Sequence, residues 1–289
     1  MIIMSNPATE ALKGVTPSPA ASKPIPAVRA ARKKGDFKGR KLLMGSLLPL
    51  IILGSWQYVS GTGIVDAMMF PAPSFIIKEF YEMIVSGELF RHLEISVLRA
   101  LIGFLLGGSL GLLFGLTVGM FSKVEEIVDP TVQMIRTVPL LAITPLFILW
   151  FGFGETSKIL LIALGAFFPL YVNTFLGVRN VDSKLFDVAR VLEFKKVNQM
   201  IRLVLPAAMP NVLLGLRLSI SIAWLVLVVA ELMGADRGIG YLIQDARSFM
   251  RTEVVFIGII LFAAVGKLTD SLVRVLERRL LKWRDSYKG

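Results

Sequence analysis

The stretch LIGFLLGGSLGLLFGLTVGMF, residues 101–121, decides what kind of molecule this is. It carries no charge over 21 residues, and a helix needs roughly 20 apolar residues to cross a hydrocarbon core of about 30 Å. Glycine recurs at every fourth position, at Gly103, Gly107, Gly111, Gly115 and Gly119. On a helix of 3.6 residues per turn this interval draws one shallow ridge that advances about 40° per step, which suits a right-handed crossing with another helix. Membrane helices are glycine-rich in general; five glycines in register favour a packing seam. The partner helix belongs to the same chain or to a second copy, and the sequence leaves both open.

Composition agrees with a membrane protein. Of 289 residues, 55% are apolar and 18% charged, and the mean hydropathy is +0.70; soluble domains run at about 45–50% and about 25%. Cysteine is absent, which excludes disulfides, thiolate nucleophiles and cysteine-based metal sites, and the single histidine, His92, has no second one to share a metal. There is no Gly-x-x-x-x-Gly-Lys-Ser/Thr phosphate loop, no His-Glu-x-x-His and no nucleophile elbow. The chain is expected to be neither an enzyme nor a cofactor carrier.

Working outward, six segments are apolar enough to span or nearly so, at about 42–59, 101–121, 127–151, 156–178, 212–233 and 254–275. The fold expected is all-α, a polytopic membrane protein with six transmembrane helices. Residues 1–41 form a separate stretch, rich in proline and basic residues, that cannot bury enough apolar surface to fold; they read as a flexible basic tail, with the membrane domain at 42–289. Between the first two spans, Ser74 is a candidate N-cap for a short amphipathic helix over 75–85 lying on the membrane surface. The net charge of +11 is then explained by topology: with the N-terminus inside, 22 basic residues fall on the cytoplasmic side and 7 on the other. Both termini are expected to be cytoplasmic, and nucleic acid is not an expected partner.

Polar residues inside spans are functional candidates by default. Arg217 and Glu231 bracket an uncharged run in the fifth segment; Arg217 is the better placed to snorkel, and Glu231 either pairs internally or lines a path. Asp129, Gln133 and Arg136 share one helical face just before Thr137-Val138-Pro139, as an internal salt-bridge cluster or as part of a route. Asn173 is an interhelical hydrogen-bonding group or a substrate contact. Arg136 is the best candidate for meeting an anion, because its planar fork suits an oxyanion and a negative solute in a low-dielectric bundle needs compensating charge.

The loop at about 182–206 is neither greasy enough to insert nor polar enough to be slack. Leu185, Ala189 and Leu192, then Val197, Ile201 and Val204, recur at helical intervals and predict two short amphipathic helices ending at Pro206. Their apolar sides need the membrane surface or a partner protein.

This loop resembles the cytoplasmic motif of ABC importer permeases, which reads Glu-Ala-Ala, three residues, Gly, nine residues, Ile-x-Leu-Pro. The chain has Asp187-Val188-Ala189, three residues, Glu193, nine residues, then Leu203-Val204-Leu205-Pro206. Val188 and Glu193 depart from the pattern, and glycine at the latter position ordinarily eases the bend between the two helices. Further stretches are similar to the branch that carries aliphatic sulfonates, nitrate and taurine: Met134-Ile135-Arg136-Thr137-Val138-Pro139, Ile148-Leu149-Trp150-Phe151-Gly152, Tyr171-Val172-Asn173-Thr174, Val229-Ala230-Glu231 and Gly238-Ile239-Gly240-Tyr241-Leu242. Aliphatic sulfonate permeases are the most similar within it. The resemblance implies a type I importer permease in a bacterial inner membrane. It also implies two copies forming the path, two ABC ATPase subunits holding ATP and Mg, and an extracytoplasmic binding protein. Nitrate, taurine or bicarbonate importers are the alternatives; an ATP-independent secondary transporter would show internal repeats, and none is evident.

Overall fold

The computed structural model describes residues 38–281, and every regular element among them is a helix. The basic stretch up to residue 37 and residues 282–289 lie outside that range. The chain divides after Leu50. Residues 38–50 supply the first half of α1 (Lys38–Gly61), and the other helices belong to the part from Ile51 on.

α2 (Pro73–Val85) begins earlier than the sequence suggested. Pro73 takes the first turn, where its missing N–H is no loss, and Ala72 is the N-cap. Ser74 is inside the helix instead, exchanging hydrogen bonds with the Gln57 amide at 3.1 Å each way. α2 buries Ile76 and Met83 against the start of α11 (Thr252–Leu280) and beside α3 (Glu88–Met120).

The glycine ridge of α3 packs on α6 (Glu155–Arg179) in the same chain. A Cβ at Gly103 would stand 2.6 Å from Ile162, at Gly111 2.5 Å from the Phe167 carbonyl, at Gly115 2.7 Å from Thr174 and at Gly119 2.8 Å from Val178; at Gly107 it would fall inside the Ala163 carbonyl. The backbones therefore touch, and only glycine permits it. Residue numbers rise together along both helices, so α3 and α6 run parallel over sixteen residues, about 24 Å.

That direction fixes the path between them. Residues 127–151 were expected as one span; the structure has α4 (Ser122–Arg136) and α5 (Leu140–Phe151), bent by 96°. The residue before a proline is pushed out of the α region, so α4 stops short of Pro139, which becomes the N-cap of α5. Glu125 pairs with Arg179, Asp129 bonds Tyr171, and Leu140 reaches Gly165. The bent pair thus follows α6 backwards from end to end and recrosses, as parallel neighbours require.

The second loop helix also departs from expectation. α7 (Ser183–Val191) is capped by the Asp182 carboxylate, which accepts from the Lys184 amide at 2.9 Å. After α8 (Lys196–Gln199) comes a π-helical stretch, Met200–Val204, that runs directly into α9 (Leu205–Gly234) rather than ending at Pro206. The Leu205 amide bonds back to the Met200 carbonyl, and Pro206 sits in the first turn of α9, where it needs no donor. α9 runs antiparallel to α6, a Cβ at Gly177 meeting Asn211 and one at Gly165 meeting Val226. α10 (Ile239–Ser248) caps one end, and α11 returns along α9, Trp224 donating to the Phe262 carbonyl and Arg217 pairing with Asp270 at 2.8 Å. Arg217 is therefore held by an ion pair on α11. Among the described residues, four helices are long and apolar enough to span, or five spans with the bent pair.

Candidate functional site

Arg136 is the last residue of α4, at the break, where helix-end carbonyls favour a cation. It is exposed and makes no ion pair or hydrogen bond among the described residues. The expected Asp129–Arg136 pair does not form: Asp129 accepts from the Tyr171 hydroxyl at 2.8 Å and from Gln133 at 3.2 Å. Tyr171 is fully buried in α6 and draws Asp129 inward, away from Arg136. Arg136 and Asn173 line one cleft of about 360 Å³, walled by Leu140, Phe168, Val172, Leu218 and Ile222. Asn173 donates one amide N–H to the Pro169 carbonyl at 2.8 Å, which leaves its second N–H and its oxygen.

Glu231, the third residue grouped with these as a pathway candidate, is placed elsewhere. It is 1% exposed and accepts from Arg99 Nη1 at 2.8 Å, from Ser96 Oγ at 2.8 Å and from the Gly240 amide at 2.8 Å. Arg99, 2% exposed, also grips Glu155 through Nε at 2.6 Å and the Arg237 carbonyl. The knot joins α3, α6, α9 and the start of α10. Gly238 and Gly240 are small because a Cβ at either would strike Glu231. The Gly238 amide donates to His92 Nδ1 at 3.1 Å, which fixes the proton of the neutral imidazole on Nε2. In the connecting loop, Asp236 is held below the usual carboxylate range by its own backbone amide, then by Arg237, Lys158 and Arg99. Sequence reasoning singled out neither Arg99 nor Ser96; the available signal was that a buried Glu231 demands a cation.

In the loop, Ala189 is fully buried within the chain, whereas Val188 is 52%, Val191 83% and Ile201 58% exposed. Leu203 and Leu205 are half-buried, Pro206 is exposed, and Asp187 is exposed beside Arg190 at 3.4 Å. Glu193 has φ 52°, the left-handed region. The Phe194 amide bonds the Ala189 carbonyl at 3.0 Å and the Glu193 amide the Arg190 carbonyl at 3.1 Å, a Schellman closure of α7.

Residues 107–282 match the family of binding-protein-dependent transport system inner membrane components. The chain belongs to this family. It is 60% identical over 93% of its length to the putative aliphatic sulfonates transport permease protein SsuC of Bacillus subtilis (strain 168), covering 98% of that protein. To the corresponding protein of Escherichia coli (strain K12) it is 45% identical, over 83% of this chain and 91% of that one. To the taurine transport system permease protein TauC of the same strain it is 33% identical, over 81% and 86%. Among solved structures, an amino acid ABC transporter matches with TM-score 0.58 at 17% identity, over 70% of this chain and 96% of that one, a likeness of fold.

The permease is thus a multi-pass transport subunit of an inner membrane and not itself an ATPase; membership implies an ATPase and a binding protein as partners. This agrees with the resemblance carried by the 187–206 loop. Glu193, where that motif has glycine, adopts the backbone conformation that glycine favours, so the replacement leaves the turn intact.

Proposed function

We propose that the chain forms, as two identical copies, the membrane path of an ATP-driven importer of aliphatic sulfonates. The observation that carries this is Arg136: an unpaired guanidinium on a cleft with mostly apolar walls, in a chain 60% identical to a putative aliphatic sulfonates permease. The fork of Arg136 receives the sulfonate oxygens, and Asn173 adds a donor. α1 is 24 residues long and supplies a sixth span, which puts both termini in the cytoplasm. The exposed Val188, Val191 and Ile201 meet the ATPase, which holds ATP and Mg; Asp187, Glu193, Leu203, Leu205 and Pro206 shape the loop. Access alternates as ATP closes the ATPase pair beneath the loop.

The test is uptake and substrate-stimulated ATPase activity of the reconstituted importer with an alkanesulfonate, taurine and nitrate. Arg136→Gln should abolish alkanesulfonate uptake in an assembled complex, while Asp129→Asn, which disturbs the Tyr171 and Gln133 contacts but leaves Arg136 in place, retains appreciable uptake. Equal loss in both, or nitrate preferred over the alkanesulfonate, would overturn the proposal.

A further inference from the structure

The cleft beside Arg136 has two chemically different ends. At one stands Asn173 with its spare amide N–H, and the unpaired guanidinium of Arg136 lines the same cleft. At the other, Leu140 and Ile222 surround Gly165, where a Cβ would lie 2.8 Å from Val226 and 3.5 Å from both Ile222 and Leu140. Eight residues of α6 separate Asn173 from Gly165, about 12 Å along the axis. Leu218, 43% exposed, lies on the wall between them. Among the described residues, no carboxylate lines the cleft.

A small inorganic oxyanion needs hydrogen-bond donors on every side, since each unsatisfied oxygen is costly away from water. Among the residues that line this cleft, only Arg136 and Asn173 offer side-chain donors, and the rest of the wall is apolar. Its shape suits an anionic head joined to a hydrocarbon tail, the head on Arg136 and the tail running past Leu218 and Ile222 towards Gly165. At ~30 Å³ for each water-sized group, the cleft volume of about 360 Å³ holds a chain of several carbons beyond the head.

We infer that Leu218 and Ile222 select the alkyl chain length of the transported anion, with Gly165 leaving room for the tail. The inference rests on the cleft being the anion's route. Each methylene in contact with the wall should change selection roughly fourfold.

The experiment is competitive uptake of ethane-, butane- and octanesulfonate by the full importer in proteoliposomes, with one binding protein throughout so that its own preference cancels. Leu218→Phe and Ile222→Phe narrow the tail end and should lower the octane-to-ethane uptake ratio about tenfold. Leu218→Ala and Ile222→Ala widen it and should raise the ratio; they decide the matter if the larger side chains prevent assembly. An unchanged ratio in assembled variants overturns the chain-length assignment. If Arg136→Gln has lost uptake in the same assay, the cleft still stands as the route and only the tail assignment falls. Wild-type uptake by Arg136→Gln at every chain length removes the route itself.

Discussion

Glu193 holds a left-handed backbone at φ 52° without being glycine, a conformation that costs an L-residue about 1–2 kcal/mol. Glu193→Gly relieves this, while glycine adds unfolded-state entropy of about 0.5–1 kcal/mol. The gain should be at most about 1.5 kcal/mol, seen as at most about a tenfold slowing of hydrogen exchange in α7; faster exchange would show that the glutamate side chain is itself needed. Arg99 is the opposite case, a residue whose partners outweigh its desolvation. Arg99→Met strands Glu231 as an uncompensated buried charge and should cost about 3–5 kcal/mol. Adding Glu231→Gln should restore much of the lost thermal stability, because the stranded charge is gone. A double variant no better than the single one would mean the knot is held by packing alone. Glu231 was legible as a polar group within a span, but Arg99 lies 132 positions away, and nothing local in a sequence links the two.

At the scale of elements, the ridge of α3 was legible because glycine spacing and helix geometry are both periodic. Its partner was not, since every apolar helix offers a similar surface and lipid supplies no hydrophobic preference among them. Gly111→Leu places a side chain into the Phe167 backbone and should lower the thermal midpoint by about 5 °C or more, from an overpacking cost of about 1–3 kcal/mol. Leu110→Ile, on the exposed side, should shift it by less than half as much; equal shifts would place the ridge against lipid. The loop calls for a different pair of substitutions. Ala189 is buried within its own chain, so Ala189→Arg would damage the permease before any docking could be read. Val191→Arg, at an 83% exposed site, should release the ATPase on size-exclusion chromatography while the permease midpoint stays within about 2 °C, as surface substitutions do. Stoichiometric co-elution would show that this face does not dock.

At the scale of the whole molecule, the charge asymmetry predicts sidedness and the helix directions carry it through. α3 and α6 run the same way, so the 121–154 segment must recross, and the 182–206 loop lies at the opposite end from α10. The chain has no cysteine, so single reporters need no background removed. Phe249→Cys, at the α10 end, should react with a membrane-impermeant thiol reagent on intact cells, and Asp187→Cys only after the membrane is opened. The reverse pattern would invert the topology.

The sequence by itself determined the helical membrane class, the ridge, the first loop helix and the family, because hydropathy, periodicity and motif spacing are read within a few turns of chain. It placed Arg136 and Asn173 among the candidates, yet it left Arg136 open between a pair with Asp129, seven residues back on the same helical face, and a place on the route. Only the tertiary structure decided that Asp129 turns to Tyr171, that Arg136 has no partner among the described residues, and that Glu231 closes on Arg99. The physical reason is that a buried charge takes whichever partner the packed helices bring within about 3 Å. That choice depends on helix direction and rotation, which the contact of α3 with α6 sets and which no local stretch of residues encodes.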